Sequence, residues 1–172
     1  MKTLAFCGAV AAFWAIPLFA QQRPLTPALD PCKVIKTPEK YAGQIVELRG
    51  IVYSSFEDLS MGGTDCTELP DAFRIWLAFP DESEVKDDPM LQGQTFKRDK
   101  VSKQFDRYLN GKCGVRRVLT TLRGRLEYKP EIATYHPNGN IGSIDGYGHM
   151  GLHHFRLVIL SVIQAEKLPC SP

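Results

Sequence analysis

The chain has 172 residues, 21 lysines and arginines against 19 aspartates and glutamates, and 44% hydrophobic residues. That composition is ordinary for a globular protein, and its near-neutral charge lacks the basic footprint of a nucleic-acid binder, so no nucleic-acid partner is expected. Only the amino-terminal run approaches membrane-spanning length, and no span is expected beyond it.

The opening MKTLAFCGAVAAFWAIPLFAQQRP has one lysine, an apolar run from Leu4 to Ala20 and then a polar, proline-bearing stretch. This is the layout of a secretory signal peptide, with cleavage expected after Ala20 and a secreted or periplasmic product. The run is slightly short for a bilayer-spanning helix, and Pro17 breaks it near its end. About 150 residues remain, enough for one domain with a real core. Residues 21–31, QQRPLTPALDP, are expected to form a loose leader before a domain over 32–170.

Cys7 leaves with the leader, so Cys32, Cys66, Cys113 and Cys170 remain. An even number in an oxidising compartment predicts two disulfides. None of the four lies in a C-x-x-C pair, which counts against zinc and haem, and no cofactor is expected.

In CKVIKTPEKYAG, Pro38 is placed to start a short helical turn and Gly43 to stop it. QIVELRGIVY then alternates as a strand, with Val46, Leu48 and Val52 on one side and Glu47, Arg49 and Ile51 on the other. SSFEDLSMGG is a weaker strand. FRIWLAF is a clear one, with Phe73, Ile75, Leu77 and Phe79 on one face and Arg74, Trp76 and Ala78 on the other. An acidic, proline-bounded loop follows, and RDKVSKQFDRYLNGK then spaces Val101, Phe105, Tyr108 and Leu109 for one amphipathic helix, capped by Asp99 and stopped at Gly111. VRRVLTTLRGRLEY is a long strand carrying Gly124 where a curved sheet needs relief. HFRLVILSVIQAEKL, apolar on both faces from Val158 to Val162, is a buried one.

Five curved antiparallel strands, with a helix between the third and fourth and a short helix in front, predict a mainly β fold: the OB-like five-stranded Greek-key barrel. An open sheet with a helix on one face and another small barrel are the alternatives. CKVIKTPEKYAGQIVELRGIV, the strand IWLAF and GYGHMGLHHFRLVILSV together resemble a group of small secreted bacterial proteins of unknown function with an OB-like domain, over roughly Cys32 to Leu168. The resemblance implies the fold and a secreted location, and brings no activity or cofactor.

If the first strand rises, the second descends and the third rises, and the helix returns the chain so that the fourth also rises and the fifth descends, then all four cysteines collect at one pole. Cys32 with Cys66, and Cys113 with Cys170, close the shortest non-crossing loops, although parity alone leaves three pairings open. The turn near Ser54, the acidic loop 80–89 and the long loop 130–151 gather at the other pole, where OB-folds hold ligands.

That long loop ends in GYGHMGLHHF. Gly146, Gly148 and Gly151 make a helix through His149 unfavourable, and in a strand His153 and His154 point to opposite sides. The expectation is hydrogen-bonded histidines fixing the chain into the last strand; the alternative is a metal-dependent enzyme using His136, His149 and either His153 or His154. Trp76 and Phe56 have the character of a stacking platform, unless Trp76 is covered by the helix or the acidic insert. The acidic loop lacks EF-hand order, and Ser54 and Ser55 lack a nucleophile motif. Arg49, Arg123, Arg125 and Glu127 supply nuclease-like residue types without a recognisable constellation, and are expected to be solvent-facing strand residues. The reading is a non-enzymatic domain that binds a small molecule, peptide or envelope protein through Trp76, Tyr135, His136, Tyr147 and His149. A purely structural envelope domain is the remaining alternative.

Overall fold

Alternation of side chains writes the first strand: β1 (Ile45–Ser54) buries Val46, Leu48 and Val52 and turns Glu47 and Arg49 outward. The structure is a computed structural model that describes residues 27–64, 66, 73–82, 85–112, 115–136, 139 and 141–169. The expected signal peptide, Cys113 and Cys170 lie outside the described residues.

Four further strands complete the sheet: β2 (Leu59–Gly62), β3 (Ile75–Ala78), β4 (Arg116–Tyr128) and the last strand, β7 (Phe155–Lys167). They hydrogen-bond in a closed ring in the order β1-β2-β3-β7-β4 and back to β1. The fold is thus mainly β. All neighbours are antiparallel except β3 and β7, which run parallel. The pairing of β4 with β7 changes register between Thr121 and Leu122 and between Arg123 and Gly124. A side chain at Gly124 would collide with the Val158 carbonyl oxygen, so the backbones approach closely where the sheet bends.

Two helices accompany the ring, α1 (Pro31–Lys36) and α2 (Lys100–Leu109). Asp99 caps α2, accepting hydrogen bonds from the backbone of Val101 and Ser102 at 3.0 Å, while the Ser102 hydroxyl accepts from Asp99 N at 2.8 Å. This reciprocal box satisfies donors that a helix start otherwise leaves open. The apolar stripe of α2 delivers Phe105 into the core, fully buried with Leu48, Leu122, Leu126 and Leu157. Burying one such side chain stabilises the fold by about 2 kcal/mol.

The sequence placed a helical turn at Pro38, and a 3-10 turn spans Pro38–Lys40. α1 precedes it, with Asp30 capping the Cys32 amide at 2.7 Å. Ahead of α1, Leu29 bridges Leu48, donating to the Glu47 carbonyl at 2.8 Å and accepting from Arg49 N at 2.9 Å. Cys32 and Cys66 form a disulfide, the pairing that the shortest non-crossing loops favoured; the strand directions that put all four cysteines at one pole are not those found, since β4 runs antiparallel to β1 and β7 parallel to β3.

Two segments build a cover on the outside of the ring. The acidic insert after β3 carries Val85 and Leu91, which bury themselves against Ala78 and Val158 beside Trp76. This second small core explains why β7 is apolar on both faces. The long loop after β4 contains a hairpin the sequence did not reveal, β5 (Ala133–Tyr135) with β6 (Ile141–Ile144). Every residue of β6 is exposed, so no buried face imposed a readable period. Among the described residues, no helix is long and apolar enough to cross a membrane.

Candidate functional site

The loop from β6 to β7 is tied down by its own backbone. Gly146 N donates to the Gly151 carbonyl at 2.9 Å, and Tyr147 and His153 exchange hydrogen bonds at 2.8 and 3.1 Å. Gly148 has φ +74 and lies so close to Trp76 that any side chain there would enter the indole ring. Met150, at φ 58, is the non-glycine residue in the left-handed region among the described residues. The loop is therefore a tight knot seated on Trp76, with a cavity on either side.

On one side lies a groove of about 610 Å³ between the β1–β2 turn and the knot, lined by Phe56, Glu57, Trp76, Gly148, His149 and Met150 among others. Phe56 is 98% exposed at the tip of the turn. His149 Nε2 stands 3.8 Å from a Glu57 carboxylate oxygen. Trp76 is half-buried, held by the outer core and by the His153 ring at 5.3 Å.

On the other side is a cleft of about 710 Å³, lined by charged residues. Strand register creates its floor. Glu127 of β4 is paired directly opposite Arg156 of β7, with Arg125 two residues away on the same face. Arg156 donates to Glu127 through Nε at 2.7 Å and through a second guanidinium nitrogen. Arg125 reaches Asp88 of the insert at 3.1 Å and the other Glu127 oxygen at 3.6 Å. Both Glu127 and Arg156 are less than a tenth exposed. Tyr147 covers them, its ring 4.6 Å from the Arg156 guanidinium and 5.2 Å from Lys129 Nζ. Lys129 pairs with Asp145 at 3.0 Å at the rim.

This environment moves two acids. The Met90 amide and Arg125 hold Asp88 below the usual carboxylate range, against the opposing effect of burial. Burial, reinforced by the Glu127 charge, pushes the Tyr147 phenol up to about 12. It therefore stays protonated through the physiological range, able both to donate and to accept.

The residues singled out from the sequence separate into three places. Trp76 and His149 share the groove with Phe56. Tyr147 faces the charged cleft. Tyr135 lies in β5 opposite Ile141, and His136 follows it, exposed, at the end of the hairpin strand. His153 Nδ1 meets the Arg74 carbonyl at 3.1 Å, and His154 Nδ1 meets the Lys129 carbonyl at 3.0 Å, so both fix the start of β7. Among the described residues, the group of metal-ligating side chains that comes together is Asp30, Cys32 and Cys66, whose two sulfurs are joined to each other.

Sequence reasoning missed the floor of the cleft. Arg125 and Glu127 read as solvent-facing strand residues, and Arg156 was not singled out. Arg49 and Arg123 do remain exposed, Arg49 donating to the Gln164 side chain at 2.8 Å. The available signal was the R-x-E of LRGRLEY facing the arginine of HHFRLV, which becomes informative only once the register of the two strands is known. Comparison of the chain with protein-family models, with curated proteins and with solved structures finds no match.

Proposed function

We propose that the chain is a secreted or periplasmic, non-enzymatic binding module, an OB-like Greek-key barrel that takes a small molecule or an exposed peptide side chain in the groove over Trp76. The strand order, the parallel pairing of β3 with β7 and the position of α2 in the chain between β3 and β4 support the barrel reading. In OB-folds the loops joining strands one to two and four to five flank the ligand surface. Here those connections are the Ser55–Asp58 turn and the knot before β7, and they enclose the groove. The observation that carries the reading is the meeting of Phe56, Trp76 and His149 there: two aromatic surfaces for stacking and a His149–Glu57 pair for polar contacts. The Cys32–Cys66 disulfide and the amino-terminal apolar run support the compartment.

Trp76 and Trp14 are the two tryptophans, so a chain beginning after Ala20 has Trp76 as its sole indole fluorophore. A peptide and metabolite library screened by that fluorescence is expected to yield a saturable ligand. Phe56→Ser, at a side chain that packs on nothing, is expected to weaken it about tenfold without lowering stability. Unchanged affinity in Phe56→Ser and His149→Ala variants removes the groove as the site.

A further inference from the structure

We infer that the cleft on the far side of Gly148, floored by Arg125, Glu127 and Arg156 and covered by Tyr147, is a second binding site, for a small neutral ligand rich in hydroxyl groups, such as a saccharide unit. It stands independently of the groove over Trp76.

Charge balance sets the ligand class. The charged lining residues are three cations, Arg125, Lys129 and Arg156, and three carboxylates, Asp88, Glu127 and Asp145. Each cation already has a carboxylate within 3.1 Å or less. An entering anion or cation would give up hydration without finding an uncommitted opposite charge, and burying such a charge is costly. A neutral molecule escapes that cost. The same charged floor offers little to a purely apolar one.

Hydrogen-bond bookkeeping narrows the class further. Glu127 is 8% exposed, and its Oε1 has no hydrogen-bond partner among the described residues; Arg125 Nε, on the same strand face, has none either. Both atoms lie beneath the accessible surface, so a guest meets instead the exposed parts of the ion pairs around them, Lys129 with Asp145 at the rim and the outer edge of Arg125 with Asp88, which offer donors and acceptors side by side. A hydroxyl group donates to the one kind and accepts from the other, and each bond to an ionised partner is stronger than a neutral one. The Tyr147 phenol, neutral in this setting, adds another group of the same dual kind at the cover. The cavity's size falls in the range of small-molecule sites with a few convergent polar groups.

The test is a titration of the chain from Gln21 onward with glucose, galactose, N-acetylglucosamine and myo-inositol, each to about 50 mM, a range that reaches weak millimolar affinities. Sodium phosphate, sodium acetate and choline serve as charged probes. The readout is the NMR signals of the Arg125 and Arg156 Nε–H groups and of the backbone amides of Asp145 to Gly148. At least one neutral probe is expected to move these signals saturably, with a dissociation constant raised about fivefold by Tyr147→Phe, the loss of one hydrogen bond, and left unchanged by Phe56→Ser. Silence toward all four neutral probes overturns the inference, as does preferential binding of a charged probe. A sugar that quenches Trp76 and loses affinity in Phe56→Ser also overturns it, while leaving the groove assignment intact.

Discussion

Around Leu126 of β4 and Leu157 of β7 the sheet is covered on both faces, and the two faces are held together in opposite ways. Inward, Leu122, Leu126, Leu157 and Ile159 meet Phe105 from α2 in a core that is apolar but for Thr120 of β4. Outward, Arg125, Glu127 and Arg156 lie under Tyr147 and beside Asp88, a buried face built from matched charges. The inner face tolerates any side chains of suitable volume, because dispersion and the hydrophobic effect have no direction. On the outer face every member depends on its partner, since a buried charge without one is worth several kcal/mol against folding. One face is specified by composition; the other is specified by register.

The largest effect is expected inside. Phe105→Ala removes the side chain that fills the ring from α2, and urea unfolding should show a loss of about 4 kcal/mol. Glu127→Ala removes the carboxylate that pairs with the buried Arg156 and lies against Arg125, and should cost about 3 kcal/mol. The contrast sharpens with the double variant Glu127→Leu, Arg156→Met, which removes the buried pair together, leaves Arg125 with Asp88 and should recover most of that loss. A double variant as unstable as Glu127→Ala would show that the outer face is not governed by matched charge. Gly148→Ala sets a side chain into the Trp76 ring and forces a left-handed residue, and should lower stability by about 1.5 kcal/mol and alter Trp76 emission.

The smallest effect separates the faces by pH. Tyr147 ionises at about 12 in the folded chain against 10.0 for an ordinary tyrosine. Its contribution is therefore fully present below pH 10 and is lost as pH rises from 10 through 12, where the unfolded chain ionises first. Tyr147→Phe should flatten stability across that window while changing it little at pH 7. On the acid side, Asp88 is held low, so its contribution is present above about pH 4, the ordinary aspartate range, and lost as pH falls below it. Asp88→Asn should blunt that acid loss. Neither variant should alter the packing of the inner face.

The same contrast explains what could be read from the sequence. The alternation of Val46, Leu48 and Val52, and the helical spacing of Val101, Phe105 and Tyr108 behind the Asp99 cap, are local signals of the inner face, and the structure carries them as β1 and α2. Strand parity left three pairings open, and it was the shortest non-crossing loops that singled out Cys32 with Cys66. The hairpin β5–β6 was illegible because β6 is exposed along its whole length and imposes no period. Trp76 and His149 were both singled out, and they meet at one groove, whereas Tyr147 was grouped with them and belongs to the opposite cavity. Arg125 and Glu127 looked like ordinary outward strand residues, because the segments that cover them are dozens of positions away along the chain. Whether an outward charge is solvated or enclosed depends on those distant covers and not on the strand's own pattern.

Gly148 forms part of the wall of both cavities. Should both proposed sites hold guests, one that pushes on this partition from one side changes the room on the other, and the two occupancies then share a free energy. Thermodynamic reciprocity makes that influence equal in both directions: whatever a first molecule does to the affinity for the second, the second does in the same proportion to the first.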